Sequence, residues 1–263
     1  MTARTMTYPG LNLAGRVAVV VGGTSGIGKT LSLGLAQAGA DVVASSRRES
    51  EVNATAEGIR GEGRRTLCLT SDVTDRASLE RLCEKTVSEL GKVDILINCA
   101  GRIKRTPTLE VSEEEFSGIV DTNLTGTLRS CQVFGRHMLS RGYGRIVNVG
   151  SLTTFVAFHE VAAYGASKAG VGALTQSLAV EWGPRGVVVN AIAPGVFRTP
   201  LNEKLLDGTP RGQELLARTP MKRFGKLEEL VGLSIFLSSE SASFVNGQTI
   251  PVDGGFLASG VNQ

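Results

Sequence analysis

A tyrosine and a lysine four residues apart, Tyr164 and Lys168, lie in a run from Tyr164 to Pro184 that reads as a helix rich in small residues, so both side chains share one face. A phenol works as a general base near neutrality only if its pKa falls from about 10 to about 7, worth roughly 4 kcal/mol. An ammonium at about 4 to 5 Å in an effective dielectric near 20 supplies about that much. Ser151, thirteen residues upstream of the tyrosine, ends the apolar run Ile146 to Val149. A hydroxyl there can bond a substrate oxygen and stabilise its developing charge. Singly, these residues are ordinary, since many solvated helices carry a Tyr four before a Lys and many strands end in serine. Their combination points to proton transfer at a substrate oxygen.

A second chemical signal, Gly22 to Thr30, reads G-G-T-S-G-I-G-K-T after an apolar run and satisfies two motifs at once. From Gly23 it is G-x-x-x-x-G-K-T, the phosphate loop of nucleotide triphosphatases, with Lys29 on the phosphates and Thr30 on magnesium. From Gly22 it is G-x-x-x-G-x-G, a turn whose missing side chains let a dinucleotide pyrophosphate approach a helix N-terminus. The triphosphatase reading also needs an acidic residue at the end of a nearby apolar strand, and the best candidate, Ile95 to Ile97, ends in Asn98. Alone the two motifs are evenly matched. With Ser151, Tyr164 and Lys168 downstream, the dinucleotide reading is preferred and Lys29 becomes a solvated helix residue.

An NAD-preferring site commonly carries Asp or Glu at the end of the second strand for the ribose 2′-hydroxyl. Here that position reads Ala44-Ser45-Ser46-Arg47-Arg48, without a carboxylate. A guanidinium at Arg47 can pair a 2′-phosphate in a forked, charge-assisted contact, so NADP(H) is expected over NAD(H). Arg48 is the better candidate for a plain solvated residue opening the next helix.

These groups need a rigid frame. Short β-branched runs recur at Val17 to Val21, Val42 to Ser45, Thr66 to Leu69, Ile95 to Ile97, Ile146 to Val149, Val187 to Ala193 and Thr249 to Val252, separated by stretches of helical spacing. That alternation predicts a doubly wound, seven-stranded parallel sheet with helices on both faces, in one α/β domain. Ser112 with Glu115 reads as a capping box, and Gly39 as the stop of the first helix. Residues 1–12 are expected to form a flexible arm and 13–263 the domain. Phe197 to Met221, with Pro200, Gly208, Pro210, Gly212 and Pro220, breaks the rhythm and is expected to be a flap over the strand C-termini.

Composition narrows the partners. The 263 residues are 41% hydrophobic, enough for one sizeable core, and the net charge of +3 from 28 basic and 25 acidic residues is too small and scattered for nucleic-acid binding. Cys68, Cys83, Cys99 and Cys131 form no C-x-x-C pair, and only His137 and His159 could join them as metal ligands. Reduced thiols, no structural zinc and a cytoplasmic location are expected, with a small-molecule partner. Met1 to Gly10 does not read as a signal peptide, and no run approaches a membrane span.

From about residue 13 to 257 the chain resembles the short-chain dehydrogenase/reductase family, a Rossmann-fold family. The resemblance rests on the Gly22, Gly26, Gly28 turn, Asp72-Val73, Asn98-Cys99-Ala100-Gly101, Asn123, Ser151, Tyr164, Lys168, Pro194-Gly195 with Thr199, and Gly247 to Gly255. It implies that Tyr164 is the acid/base and Ser151 the donor to the substrate oxygen. Lys168 would also bond the nicotinamide ribose, and Asn123 would hold a water relaying protons to solvent. Cofactor contacts would come from Gly22, Thr24, Ser25, Gly26, Ile27 and Gly28 of the turn, Ser46, Arg47 and Arg48, Asp72 and Val73 at the adenine, Asn98, Ala100 and Gly101 near the adenosine ribose, and Pro194, Gly195, Val196 and Thr199 at the carboxamide. A homotetramer built partly on the Tyr164 helix and the C-terminal segment is implied as well. Val21 replaces the usual Thr and Cys99 the usual second Asn of the family pattern.

Arg218 to Gly225, Phe236 to Gly255 and Gly101 to Arg105 look most like the gluconate 5-dehydrogenase and 2-dehydro-3-deoxygluconate 5-dehydrogenase branch. The expected reaction is hydride transfer between NADP(H) and a secondary alcohol or ketone of a sugar acid or polyol. Arg102, Lys104 and Arg105 are candidates for a substrate carboxylate, His159 for a substrate hydroxyl, and Phe197 for the pocket wall or the core. A 3-oxoacyl thioester reductase shares the same reacting centre and is the alternative enzyme. An NADP-sensing binding module is the non-enzyme alternative, although such a protein would have little reason to retain both Tyr164 and Lys168.

Overall fold

Val17–Val21 (β1) is a run of five residues buried on both faces, which only the interior of a covered sheet allows. A computed structural model of the chain describes residues 9–199 and 202–260. β1 is followed by Gly26–Gln37 (α1), Asp41–Ser45 (β2), Glu49–Gly61 (α2), Arg76–Leu90 (α3), Ile95–Asn98 (β3), Glu113–Val120 (α4) and Gly126–Arg141 (α5). The second half runs through Gly144–Val149 (β4), Ala162–Trp182 (α6), Val187–Pro194 (β5), Glu203–Leu206 (α7), Pro210–Arg218 (α8), Val231–Ser238 (α9) and Thr249–Val252 (β6). All strand pairings are parallel, in the order β2-β1-β3-β4-β5-β6.

Strand periodicity divides the core in two. Val17, Val19 and Val21 join Phe134 and Met138 of α5, Leu79 and Leu82 of α3 and Trp182 of α6. Ala18 and Val20 point the other way, to Leu31 and Leu35 of α1 and Leu237 of α9. The chain therefore forms a single α/β domain with helices on both faces of its sheet.

Among the described residues six strands pair, where seven are expected. Thr66–Leu69 runs beside β2, but its backbone is joined to that strand only at the ends, by Val42 N–H to the Arg65 carbonyl (3.1 Å) and Ser71 N–H to the Ser46 carbonyl (3.0 Å). Between them a side chain replaces the ladder: Ser45 Oγ donates to the Leu69 carbonyl at 2.6 Å. Cys68 of this outermost segment is exposed, and without neighbours on both sides nothing forces full pairing.

Ser112 caps α4 by accepting the Glu115 N–H at 3.1 Å, yet the box is not reciprocal, because the Glu115 carboxylate is held by Lys104 and Thr106. Residues 1–8 of the expected arm and Pro200 of the expected flap lie outside the described residues; Pro9–Leu11 form one 3-10 turn, and the flap contains α7 and α8. Among the described residues, no helix is long and apolar enough to cross a membrane, and no group of His, Cys, Asp and Glu side chains could hold a metal ion.

Candidate active site

The C-terminal ends of β1, β3, β4 and β5 meet at one edge of the sheet, and the turn after β1 is shaped by glycine. Gly22 has φ +80°, and a Cβ there would lie 2.5 Å from the Ala100 nitrogen. At Gly28 a Cβ would lie 2.0 Å from the Gly22 carbonyl oxygen, so this turn closes only without side chains. Ser25, the residue before α1, makes no side-chain cap, leaving the first-turn N–H groups to an outside acceptor. Thr199 hangs over this cradle, its methyl 3.9 Å from where a Gly26 Cβ would stand. The fit suits a dinucleotide pyrophosphate. It does not suit a magnesium-bound triphosphate: Thr30 Oγ1 donates back to the Gly26 carbonyl (3.2 Å), and Asn98, at the end of β3, spends its amide on Asn148 Oδ1 (2.9 Å) and Cys131 Sγ (3.3 Å).

At the end of β2, Thr24 Oγ1 donates to Ser46 Oγ at 2.7 Å, joining the glycine turn to the strand that would face the adenosine ribose. Arg47 is exposed and has no ion pair among the described residues, whereas Arg48 lies 3.7 Å from Glu51 and opens α2. Partial burial pushes the Asp72 carboxyl up, but the backbone N–H and hydroxyl of Thr74, with the nearby charge of Arg47, hold it below its ordinary value. Val73 packs where a Cβ on Gly126 would otherwise stand, 2.8 Å away. Across the site, Gly195 N–H donates to the Val252 carbonyl (2.8 Å) and the Val196 carbonyl accepts from Gly225 (2.9 Å), fixing the backbone after Pro194.

Ser151, Tyr164 and Lys168 converge from β4 and α6. Ser151 sits just beyond β4 and caps a 3-10 turn, Leu152–Thr154; its Oγ accepts the Thr153 N–H at 3.2 Å. Small residues let α6 approach closely, with Gly170 seated against Leu124 and Gly172 against Thr154. Lys168 is buried, and its Nζ donates to the Val149 carbonyl at 2.6 Å while standing 5.8 Å from the centre of the Tyr164 ring. Burial pushes its ammonium pKa down to about 8. The Tyr164 phenol is pushed up by burial, with the Ser151 hydroxyl opposing that rise. Burial thus disfavours the charged form of both groups, the phenolate as well as the ammonium.

Asn123 lies in a π turn, Asp121–Thr125, that breaks the regular ladder between α4 and α5. Its Oδ1 accepts the Arg102 N–H (2.8 Å), and its Nδ2 donates to the Arg102 carbonyl (2.9 Å) and Ser167 Oγ (3.0 Å), tying the loop after β3 to α6. Gly101 makes room: a Cβ there would stand 3.4 Å from Asn123 Oδ1 and 3.7 Å from Lys168 Nζ. Cys99 keeps its backbone bond to the Val21 carbonyl at 2.8 Å, and its thiol, beside Lys168, is pushed up to about 11 by burial.

The chain is similar to known proteins over nearly its whole length. A family model described as Enoyl-(Acyl carrier protein) reductase, of the short-chain dehydrogenase/reductase type, matches residues 21–257. Gluconate 5-dehydrogenase of Gluconobacter oxydans is 39% identical over 255 residues, 97% of this chain and 100% of that one. The chain belongs to the short-chain dehydrogenase/reductase family. Another relative, 2-dehydro-3-deoxy-D-gluconate 5-dehydrogenase of Dickeya dadantii, is 39% identical over 94% of this chain and 97% of its own. The crystal structure of a gluconate 5-dehydrogenase from Burkholderia cenocepacia in complex with NADP and tartrate superposes with a TM-score of 0.92 at 36% identity, covering 95% of this chain and 98% of that one. This dehydrogenase is accordingly an oxidoreductase acting on CH–OH with a nicotinamide dinucleotide as acceptor.

The mouth of the dehydrogenase site is less cationic than its sequence. Lys104 is paired with Glu115, and Arg105 Nε lies 2.5 Å from Glu160. Arg102 has no ion pair among the described residues, and one of its guanidinium nitrogens lies 3.6 Å from where a Gly118 Cβ would stand. His159 is exposed, 3.6 Å from Glu160. Phe197 is buried in the core against Gly225, so it supports the floor of the flap. Two residues escaped the sequence reading. Glu160 adopts φ 62°, a conformation without a sequence signature outside glycine. Thr154 carries a faint signal, its position three after Ser151, where a reciprocal cap is expected.

Proposed function

We propose that this dehydrogenase moves a hydride between NADP(H) and a secondary alcohol or ketone of a sugar acid or polyol, with Tyr164, Ser151, Lys168 and Asn123 as its working residues. The convergence of Ser151, Tyr164 and Lys168 beside a glycine cradle carries the reading. In the oxidative direction the alcohol loses its carbon-bound hydrogen with the electron pair, and its hydroxyl proton passes to Tyr164 Oη. Ser151 donates to the substrate oxygen, a role supported by the Thr153 N–H that occupies one of its lone pairs. Lys168, one helical turn from Tyr164, holds positive charge beside the phenol and offers donors to a ribose. Asn123 keeps the loop after β3 against α6. When bound, the nicotinamide accepts or supplies the hydride and, oxidised, adds the positive charge that the buried phenol needs.

The NADP preference is supported by the unpaired Arg47 and the missing carboxylate after β2. Turn residues 22–28, Asp72, Val73, Asn98 to Gly101 and Pro194 to Thr199 would hold the rest of the cofactor. Among the basic residues at the mouth, Arg102 is favoured for a substrate carboxylate because Lys104 and Arg105 already have acidic partners. We also propose a cytoplasmic homotetramer, in keeping with four free cysteines and with exposed apolar side chains at Val180 on α6 and Phe244 before β6. The segment 197–221 would act as the flap over bound substrate.

The test is steady-state absorbance at the reduced-nicotinamide band, with gluconate-type acids, neutral polyols and acetoacetyl thioesters, each with NADP(H) and NAD(H). Turnover of sugar acids with NADP(H) is expected. Turnover of thioesters alone would make the chain an oxoacyl reductase, and tight cofactor binding without any turnover would make it a binding module.

A further inference from the structure

The loop after β4 and the helix α6 supply different parts of the reacting centre, and a single hydroxyl joins their backbones. Thr154 Oγ1 accepts the Ser151 N–H at 3.3 Å and donates to the Lys168 carbonyl at 3.1 Å. The Thr154 N–H also donates to the Ser151 carbonyl at 3.0 Å, closing a reciprocal cap around the serine. The methyl of Thr154 is seated against α6 where only glycine fits, since a Cβ on Gly172 would lie 2.8 Å from Thr154 Cγ2. The Thr154 hydroxyl bonds backbone on both sides, at Ser151 and at Lys168.

We infer that Thr154 is a positioning residue: its hydroxyl couples the backbone of Ser151 to that of Lys168 and so sets how closely the Ser151 hydroxyl meets the Tyr164 phenol. The inference rests on the roles proposed above for Ser151 and Tyr164. A serine hydroxyl has one proton to give. With the Thr153 N–H on one lone pair, the direction of that proton follows from how the 3-10 turn is held against α6. Releasing the turn moves the Ser151 donor, which weakens its hold on the phenolate before substrate binds and on the substrate oxygen afterwards.

The experiment is Thr154→Val, which keeps the shape and removes both hydrogen bonds, compared with Thr154→Ser, which keeps the hydroxyl. Thr154→Val is expected to lower kcat about tenfold, the worth of one positioned hydrogen bond, with NADPH affinity and substrate KM within about twofold. The pH at which alcohol oxidation reaches half its plateau should move upward, because a phenolate with a weaker donor holds its proton more tightly. Thr154→Ser should restore most of kcat and the original pH profile. Gly172→Ala perturbs the same seat from the helix side with the hydroxyl intact, and should give the same alkaline displacement if the valine variant does not fold. Wild-type kcat in Thr154→Val overturns the inference, as does a kcat loss with an unmoved pH profile or one that serine fails to repair. Ser151→Ala and Tyr164→Phe separate the two levels: if either retains full turnover, the proposed roles fail; if both lose turnover while Thr154→Val does not, only the inference fails.

Discussion

Lys168→Met should abolish turnover and yet stabilise the cofactor-free protein at neutral pH. The wild-type ammonium is buried, and its pKa is pushed from 10.5 to about 8, so holding it charged in the fold opposes folding. At pH 7 that opposition amounts to about 3 kcal/mol. Methionine fills a similar volume and leaves the Val149 carbonyl without the Lys168 donor, returning about 1 kcal/mol. A net gain of about 2 kcal/mol corresponds to about 4 °C in Tm for a chain of this length. The pH dependence is the sharper readout. Between pH 8 and 10.5 the unfolded chain holds the Lys168 proton and the folded chain has shed it, so wild-type stability rises with pH across that window. By about pH 9.5 more than half of the lysine opposition is gone, and the two proteins should melt within about 1 °C of each other. Thermal unfolding of both, without NADP(H), at pH 7 and 9.5 decides the matter. A lower Tm for Lys168→Met at pH 7, or a difference that ignores pH, would refute the reasoning.

Two further outcomes test other parts of the molecule. Arg47→Ala should raise the Kd for NADPH by about 10- to 100-fold, the value of a charge-assisted pair, while NADH changes by less than about threefold; equal losses in a fluorescence titration would remove the phosphate contact. Asp94, fully buried at the opposite edge of the sheet, accepts the Val17 N–H at 3.0 Å and has Lys92 and Arg141 within 3.1 Å. Asp94→Ala should cost about 3 kcal/mol in urea unfolding and leave kcat within about twofold. A collapse of kcat at unchanged stability would show that this edge reaches the chemistry.

The parts of the site that read directly from the sequence are those whose chemistry is set by short spacing. Tyr164 and Lys168 share a helix face because of the helical repeat, and the glycines of the β1 turn are required by two close backbone approaches. What distance along the chain conceals is partnership. Arg102, Lys104 and Arg105 read as three equal cations, but Glu115 and Glu160, brought in from α4 and from the loop before α6, take two of them. Phe197 reads from the sequence as either pocket wall or core, and it is buried because the backbone of Gly225 comes alongside it. Thr66–Leu69 has the composition of a strand, yet pairing depends on neighbours, and an outermost segment held by the Ser45 hydroxyl need not complete its ladder.

The two edges of the sheet also differ in how their charged groups are paired. At the N-terminal edge, Glu240 accepts from Arg16 (2.6 Å), Tyr143 (2.8 Å) and Arg145 (3.0 Å), while both guanidinium groups lie over the Tyr143 ring at 4.2 and 4.7 Å. With Asp94 beside it, this edge gathers two carboxylates among four cations, Arg16, Lys92, Arg141 and Arg145. At the C-terminal edge, Gly22, Gly26 and Glu160 have left-handed backbones, Lys168 is held charged against its burial, and Asn98 Oδ1 and Thr153 Oγ1 are buried without a partner. The left-handed backbone of Glu160, the buried Lys168 charge and the two unpartnered oxygens each oppose folding, whereas the two glycines adopt their conformation freely. Substitutions that relax the buried Lys168 should therefore raise stability or leave it unchanged while lowering turnover. Thr154, which touches both the serine loop and α6, lies on the boundary between these two requirements, and this is why its hydroxyl should matter more to kcat than to Tm.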